Sequence, residues 1–284
     1  MRWAIAAAVL LGLTGTISAL GPGSLEPQGT AAWRVLIGAV ALLAASALRG
    51  NPVWRARLAW QWAGAGSLAL VVNQLAFFAA LDRLGVAVAT VVTIAALPVT
   101  GGLIDGVSAR RRPRRNWVVG VAMGIVGTAL LVSGDVRFDL LGLALSIISG
   151  VAAALVGMCA QRQVGVAPLT GIAAIVGGAA VLLTPLAMVH LGNVTVSWSA
   201  WATVTALGLV SMAAAYTCWS NGLAGLSLGV VTAVGLLEPA VAAILAVVVL
   251  DETLGWRGAL GIAVVLAGVG LSSVGPAATG RRPA

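Results

Sequence analysis

Long apolar stretches alternate with short polar ones along the whole chain. Ten of these stretches have about 17 to 23 residues, close to the roughly 20 residues that cross a bilayer as a helix. Their polarity does not alternate from residue to residue, as it does in the strands of a transmembrane barrel. The pattern predicts an all-α, polytopic membrane protein with ten transmembrane helices, at residues 3–21, 30–48, 58–80, 85–107, 117–133, 140–161, 168–189, 201–221, 228–250 and 258–275.

Charged residues make up only 8% of the 284 residues, where a soluble domain carries roughly 25%. The polar stretches between the spans are short, so the sequence predicts a single membrane domain with no room for a separate soluble one. The zinc-protease pattern HExxH does not occur, and Cys159 and Cys218 lack the CxxC spacing of a metal or redox site. We therefore expect neither an enzyme nor a metal or other cofactor.

The arginines, which give the chain a net charge of +8, cluster in alternate loops. With the N-terminus in the cytoplasm, twelve of the sixteen lie at cytoplasmic ends of spans. They are Arg2, Arg49, Arg55, Arg57, Arg110, Arg111, Arg112, Arg114, Arg115, Arg162, Arg281 and Arg282. The positive-inside rule then places both termini in the cytoplasm. The run RRRPRR fits an orientation anchor, with nucleic-acid or anionic-lipid binding as alternatives. We expect the lipid bilayer, and no nucleic acid, as partner.

The first span has an alternative interpretation as a secretory signal peptide. Arg2 precedes an apolar run that ends in small residues near Ser18 and Ala19, as such peptides do. Its removal would leave nine spans and would disrupt the internal symmetry described next. We therefore expect it to stay as a membrane helix.

The chain contains an internal duplication. A shift of 141 residues aligns six pairs without a gap: Pro27 with Pro168, Phe78 with Trp219, Pro98 with Pro239, Gly120 with Gly261, Gly127 with Gly268, and Gly134 with Gly275. The shift divides the chain into two units of five helices, at residues 1–134 and 135–284. Because five is odd, the second unit enters the membrane from the opposite side, and such inverted repeats permit alternating access to a central site.

Two prolines lie near the midpoints of spans four and nine. A proline inside a helix removes one N–H and displaces the carbonyl four residues earlier. We therefore expect Pro98 and Pro239 to break their helices, which would free the carbonyl of Gly235 in span nine. Such a carbonyl at membrane depth either lines a wet cavity or is satisfied in a packed kink.

Glu238 is the only charged residue between Gln163 and Leu250. The residues on its own helical face include the small Gly235 and Ala242, whereas the opposite flank is bulky, so Glu238 is predicted to point into the bundle. There it suits proton coupling or the binding of a cationic amine. The alternative is a protonated side chain that bonds a backbone carbonyl near the kink.

Further candidate substrate-binding residues are the few other polar side chains at depth. The adjacent amides of Asn73 and Gln74 must find partners on other helices or on a ligand. Arg34, near the start of span two, is either a clamp for a carboxylate or phosphate or a side chain that snorkels to the headgroups. For single threonines, interhelical hydrogen bonds remain the alternative. The weaker candidates are Tyr216, Thr93 and Thr14.

The segment LEPAVAAILAVVVLDETLGWRGALGIAVVLAGVGL, residues 237–271, resembles the closing helix pair of the drug/metabolite transporter superfamily, EamA type. The resemblance rests on Glu238-Pro239, Asp251-Glu252 and the glycines 261 and 268, and Arg34 matches an arginine common in the second helix of that family. The first repeat departs from the pattern, because Leu97 precedes Pro98 where a glutamate is usual. A run of arginines replaces an acidic loop, and span one lacks a central tryptophan.

The resemblance implies an inner-membrane carrier with duplicated halves that exports amino acids or other small metabolites. Together with the inverted repeat, it predicts a secondary transporter that moves a small-molecule substrate, such as an amino acid or related amine, by alternating access. The alternative is a channel or membrane scaffold without alternating access. The sequence leaves open whether the protein pairs with itself as a homodimer.

Overall fold

The computed structural model describes residues 1–23, 25–110, 112–131, 139–192, 197–251, 253 and 255–273, with the side chains of 86 and 87 left out. These residues form ten long helices and no strand. In chain order the helices are α1 (Arg2–Ala19), α2 (Pro27–Leu48), α3 (Trp60–Gly85), α4 (Val88–Ala109), α5 (Arg115–Leu131), α6 (Leu140–Gln161), α7 (Pro168–Val189), α8 (Trp198–Gly225), α9 (Leu228–Leu250) and α10 (Trp256–Ser273).

The helices confirm the ten predicted spans and correct several of their bounds. Eight are long and apolar enough to cross a membrane, and α5 and α10 are shorter apolar helices. The third span continues to Gly85, whose φ of 78° and ψ of 162° separate α3 from α4 in a turn that favours glycine. The aligned glycines 134 and 275 lie outside the described residues.

Contacts between α5 and α10 follow the predicted duplication. A Cβ placed on Gly120 would lie 2.5 Å from the carbonyl oxygen of Gly268. A Cβ on Gly261 would lie 2.8 Å from the carbonyl oxygen of Gly127. The shift of 141 residues converts the first pair into the second, so the two glycine contacts are copies of one another across the repeat.

A second pair of contacts, between α3 and α7 and between α8 and α2, is exchanged in the same way. The Ser67 hydroxyl donates to the carbonyl of Ile175 at 2.9 Å. At the equivalent place, a Cβ on Gly208 would lie 3.1 Å from the carbonyl oxygen of Arg34. The two five-helix units therefore pack through equivalent surfaces, and the odd number of helices in each unit makes the repeat inverted.

The two central prolines differ in effect. Helix α9 is interrupted at Leu236, between a first half that ends at Gly235 and a second half that begins at Leu237, two residues before Pro239. Helix α4 continues through Pro98, so the predicted break there is absent. Packing supports this turn of α4, because a Cβ on Gly150 of α6 would lie 2.5 Å from the carbonyl oxygen of Thr93.

Candidate substrate site between helices 2, 3, 8 and 9

Arg34 lies about two turns inside α2, because that helix begins at Pro27 rather than at residue 30. Its Nη2 donates to Oε1 of Gln74 on α3 at 3.3 Å. Its Nε is fully buried and has no hydrogen-bond partner. The guanidinium is therefore turned into the bundle and does not snorkel to the headgroups.

Tyr216 on α8 and Glu238 on α9 both interact electrostatically with Arg34. Among the described residues, the ion pairs are Arg83 with Asp139 and His190 with Glu26, so Arg34 and Glu238 are near each other without direct pairing. Both Tyr216 and Glu238 are partly exposed. A cation and an anion therefore face each other at membrane depth with room between them, and this arrangement can accept a small ligand that carries both charges.

Irregular segments in α8 and α9 position the two groups. Residues Gly208–Ala214 form a π-helical segment that ends two residues before Tyr216. Such wide turns often occur at functional sites. The equivalent residues 67–73 of α3 are regular α-helix. Glu238 lies in the first turn of the second half of α9, where the helix dipole favours a negative charge.

The polar cluster occurs in one repeat arrangement only. The shift of 141 residues pairs its four members with apolar residues at the symmetry-related place. Arg34 corresponds to Ile175, Gln74 to Ala215, Tyr216 to Leu75, and Glu238 to Leu97. The symmetric scaffold therefore carries a single asymmetric polar site.

Two cavities flank this site at opposite ends of the bundle. The small cavity, of about 120 Å³, lies where α2 begins and α3 and α7 end, and Gln74 lines it. The large cavity, of about 570 Å³, lies where α4, α6 and α8 end and α9 begins, and Ser220, one turn beyond Tyr216, lines it. We refer to these ends as the Glu26 end and the Arg110 end. The volume of the large cavity is typical of small-molecule pockets.

The match to known proteins covers nearly the entire chain. The model of the EamA-like transporter family matches residues 1–133 and again residues 139–274. The chain belongs to the EamA-like transporter family. A similar protein is the uncharacterised transporter YwfM of Bacillus subtilis (strain 168), 30% identical over 283 residues that cover 95% of this chain and 92% of the relative. A solved crystal structure covers 96% of both chains with a TM-score of 0.82 at 21% identity, which shows a shared fold.

Family membership makes the protein a multi-pass membrane transporter, and the family and relative point away from an enzyme. One sequence feature of this EamA-like transporter needs comment in this respect. The letters GLSLG at residues 225–229 match the GxSxG pattern of hydrolases. Here Ser227 precedes α9 between two helices, instead of lying between a strand and a helix. The single histidine, His190, pairs with Glu26 at the opposite end, at 2.7 Å.

Three predicted site residues of the EamA-like transporter lie elsewhere. The Nδ2 of Asn73 donates to the carbonyl and the hydroxyl of Ser149 on α6, at 3.1 and 3.0 Å. The Thr93 hydroxyl donates to the carbonyl of Ser146, also on α6, at 3.1 Å. These bonds join helices, as the alternative interpretation expects. Thr14 on α1 is partly buried, two residues beyond Gly12, and no described contact joins it to Arg34 or Glu238.

Asp105 has a role that its position near the end of span four did not indicate. Its Oδ2 accepts a hydrogen bond from the backbone N–H of Gly229 at 2.6 Å. The indole Nε1 of Trp117 donates to the carbonyl of the same glycine at 3.0 Å. Both contacts join residues more than a hundred positions apart, so only the folded chain reveals them. They fix the start of α9, the helix that carries Glu238.

Proposed function

We propose that this EamA-like transporter is a secondary carrier that exports a small metabolite with a carboxylate and an amine, such as an amino acid, by alternating access. The observation that carries the proposal is the placement of Arg34 opposite Glu238, between two cavities and without a direct ion pair. A guanidinium binds a carboxylate through a rigid fork of donors. The Glu238 carboxylate would bind the ammonium group, and a related amine would use this half of the site alone.

The distribution of arginines supports a cytoplasmic location for the Arg110 end. Arg110, Arg112, Arg114 and Arg115 are exposed there. The positive-inside rule places such a cluster on the cytoplasmic side of an inner or plasma membrane. In this orientation both termini are cytoplasmic, and the large cavity receives the metabolite from the cytoplasm.

Equivalent positions at the two ends have opposite arrangements, which supports alternating access. At the Glu26 end, Nε2 of Gln28 donates to Oδ2 of Asp82 at 3.5 Å, which joins α2 to α3. The counterparts of these residues at the Arg110 end are Leu169 and Leu223. Leu223 lines the large cavity. In an inverted repeat the two ends exchange such states, so this conformation corresponds to one that is open to the cytoplasm.

Counterflow in liposomes tests the proposal. Purified protein is reconstituted, the vesicles are loaded with the twenty common amino acids and their decarboxylated amines, and exchange is measured by mass spectrometry. We expect saturable exchange of at least one amino acid, reduced about tenfold or more by Arg34→Gln or Glu238→Gln. Arg49→Gln, at an exposed helix end, is the matched control. Absence of exchange throughout the panel would refute the proposed cargo, and flux without saturation or counterflow would favour a channel.

A further inference from the structure

Two buried polar atoms without hydrogen-bond partners lie on one face of α2. They are Oγ1 of Thr30 and Nε of Arg34. The same condition applies to the Ser146 hydroxyl, which lies on α6 and apart from this pair. Buried hydrogen-bonding groups are nearly always satisfied in folded proteins, so an unsatisfied pair requires an explanation.

The Thr30 hydroxyl departs from the behaviour of other hydroxyls in these helices. A serine or threonine within a helix commonly donates to the carbonyl four residues earlier. Seven described residues do so: Ser67, Thr128, Thr184, Thr203, Ser211, Thr217 and Thr232. The carbonyl of Glu26 is available to Thr30 in the same way, because it accepts the backbone N–H of Thr30 at 2.9 Å. The hydroxyl nevertheless leaves this partner unused.

Helix geometry brings the Thr30 hydroxyl and the Arg34 side chain together. Residues four apart on a helix are neighbours, with about 5 to 6 Å between their Cβ atoms. Long side chains on a helix lean towards its N-terminus, so Arg34 leans towards Thr30. Arg34 Nε–H can only donate a hydrogen bond, and the Thr30 hydroxyl can donate one as well. Two adjacent donors suit the two oxygens of a carboxylate.

We infer that Thr30 is a second binding residue for the substrate carboxylate, donating from Oγ1 beside Arg34 Nε. Thr30 therefore sets the preference for carboxylated substrates over the corresponding amines. The inference rests on the proposed function and assigns a residue that the polar pattern of the spans did not include. The symmetry-related residue is Gly171, which has no hydroxyl, so this donor pair, like Glu238, occurs once in the duplicated scaffold.

The test compares three substitutions in reconstituted protein with L-leucine, L-phenylalanine and L-threonine, each beside its decarboxylated amine. Thr30→Val removes the hydroxyl at nearly constant shape, and Thr30→Ser retains it. Thr128→Val removes a buried hydroxyl that is satisfied by Gly124 at 2.8 Å on α5, away from the site. For Thr30→Val we expect KM for the transported amino acids to rise about tenfold, the effect of losing one bond to a charged group. KM for the amines and the maximal rate should not change.

The controls separate a binding role from a structural one. Thr30→Ser should restore the amino-acid KM to within about twofold of wild type, and Thr128→Val should leave both substrate classes unaffected. Unchanged amine transport in Thr30→Val demonstrates that this variant is folded. An equal rise of KM for amino acids and amines, or no rise for either, would overturn the assignment of Thr30 while the proposed transporter stands. Failure of the wild-type protein to move any probe counts against the proposed function itself.

Discussion

Arg34 and Gln74 join α2 to α3 through one hydrogen bond of 3.3 Å, from Nη2 to Oε1. This bond uses one of the five donors of the guanidinium and holds the group in the interior of the bundle. The neighbouring Asn73 points to α6 instead, because successive helix residues are about 100° apart. A pair of adjacent amides therefore serves two purposes, with one positioning the candidate site and the other fixing the scaffold.

Replacement of Arg34 by lysine should reduce amino-acid transport by about tenfold or more. A lysine keeps the charge but lacks the planar fork that holds Gln74 and a carboxylate together. The measurement is KM and maximal rate in proteoliposomes, beside the yield of folded protein on size exclusion. Arg49→Lys, at the exposed end of α2, should behave as wild type. Wild-type kinetics in Arg34→Lys would remove the guanidinium fork from substrate binding.

Transfer of the acid to the other repeat should not rescue transport. In the double variant Glu238→Leu with Leu97→Glu, the carboxylate moves to the symmetry-related position. There the counterpart of Arg34 is Ile175, and a Cβ on Gly150 would lie 3.1 Å from the backbone nitrogen of Leu97. We expect less than about a tenth of wild-type transport, as for Glu238→Leu alone. Recovery of transport by the double variant would contradict a site that exists on one side only.

The sequence predicted the scaffold more completely than the site. Ten apolar runs and the glycine spacing sufficed for the helices and their duplication, because lipid-facing length and close helix packing are local demands. Gln74 and Asn73 looked equivalent in the sequence, and only the positions of α2 and α6 distinguish them. The π-helical segment Gly208–Ala214 has no sequence signal that separates it from regular helix. The orphan hydroxyl of Thr30 depends on what lies around it, which the sequence does not specify.

The Pro98 prediction was wrong for a related reason. Proline weakens a helix locally, but tertiary packing decides whether the helix breaks there. Close packing of Gly150 against α4 accompanies the unbroken turn before Pro98. In α9, Gly235 adds a flexible residue before Pro239, and the interruption falls between them. One identical residue at equivalent places therefore produces two different local structures.

A link between α2 and α3 at the Glu26 end should stop transport. In a background without Cys159 and Cys218, the pair Gln28→Cys and Asp82→Cys is joined by a short, cleavable thiol reagent. Their side chains already meet at 3.5 Å, so the linker should form readily and hold this end closed. We expect transport to fall to the background level and to return when the linker is cleaved. The pair with each cysteine left free is the control, and continued transport in the linked protein would argue against alternating access.

Replacement of Gly120 by alanine should destabilise the contact of α5 with α10. The added Cβ would lie 2.5 Å from the carbonyl oxygen of Gly268, so the two backbones must move apart. Such overpacking costs about 1 to 3 kcal/mol of unfolding free energy. Gly64→Ala in α3 is the matched control, because its Cβ would meet nothing within 4 Å. This control should match or slightly exceed wild type in thermal unfolding in detergent, since alanine is the better helix former.

Asp139 should make stability depend on pH at the Glu26 end. Its side chain accepts from the backbone N–H of Gly142 at 3.0 Å and pairs with Arg83 at 3.0 Å. The Gly142 amide, and after it Arg83, hold the pKa of the Asp139 carboxyl below its ordinary value, which is about 3.9. A lowered folded-state pKa stabilises the protein above the unfolded-state value, and this stabilisation is lost as the pH falls through the folded-state value. Asp139→Asn should therefore melt below wild type at pH 7.

The difference in melting temperature should narrow as the pH falls below about 4, because protonation then removes the charge from wild-type Asp139 as well. Arg83→Gln provides the matched comparison. It removes the smaller of the two main causes and leaves the cap on Gly142 in place, so it should retain part of the pH dependence. A gap between wild type and Asp139→Asn that stays constant from pH 7 to pH 3 would mean that the charge of Asp139 adds nothing beyond its neutral hydrogen bonds.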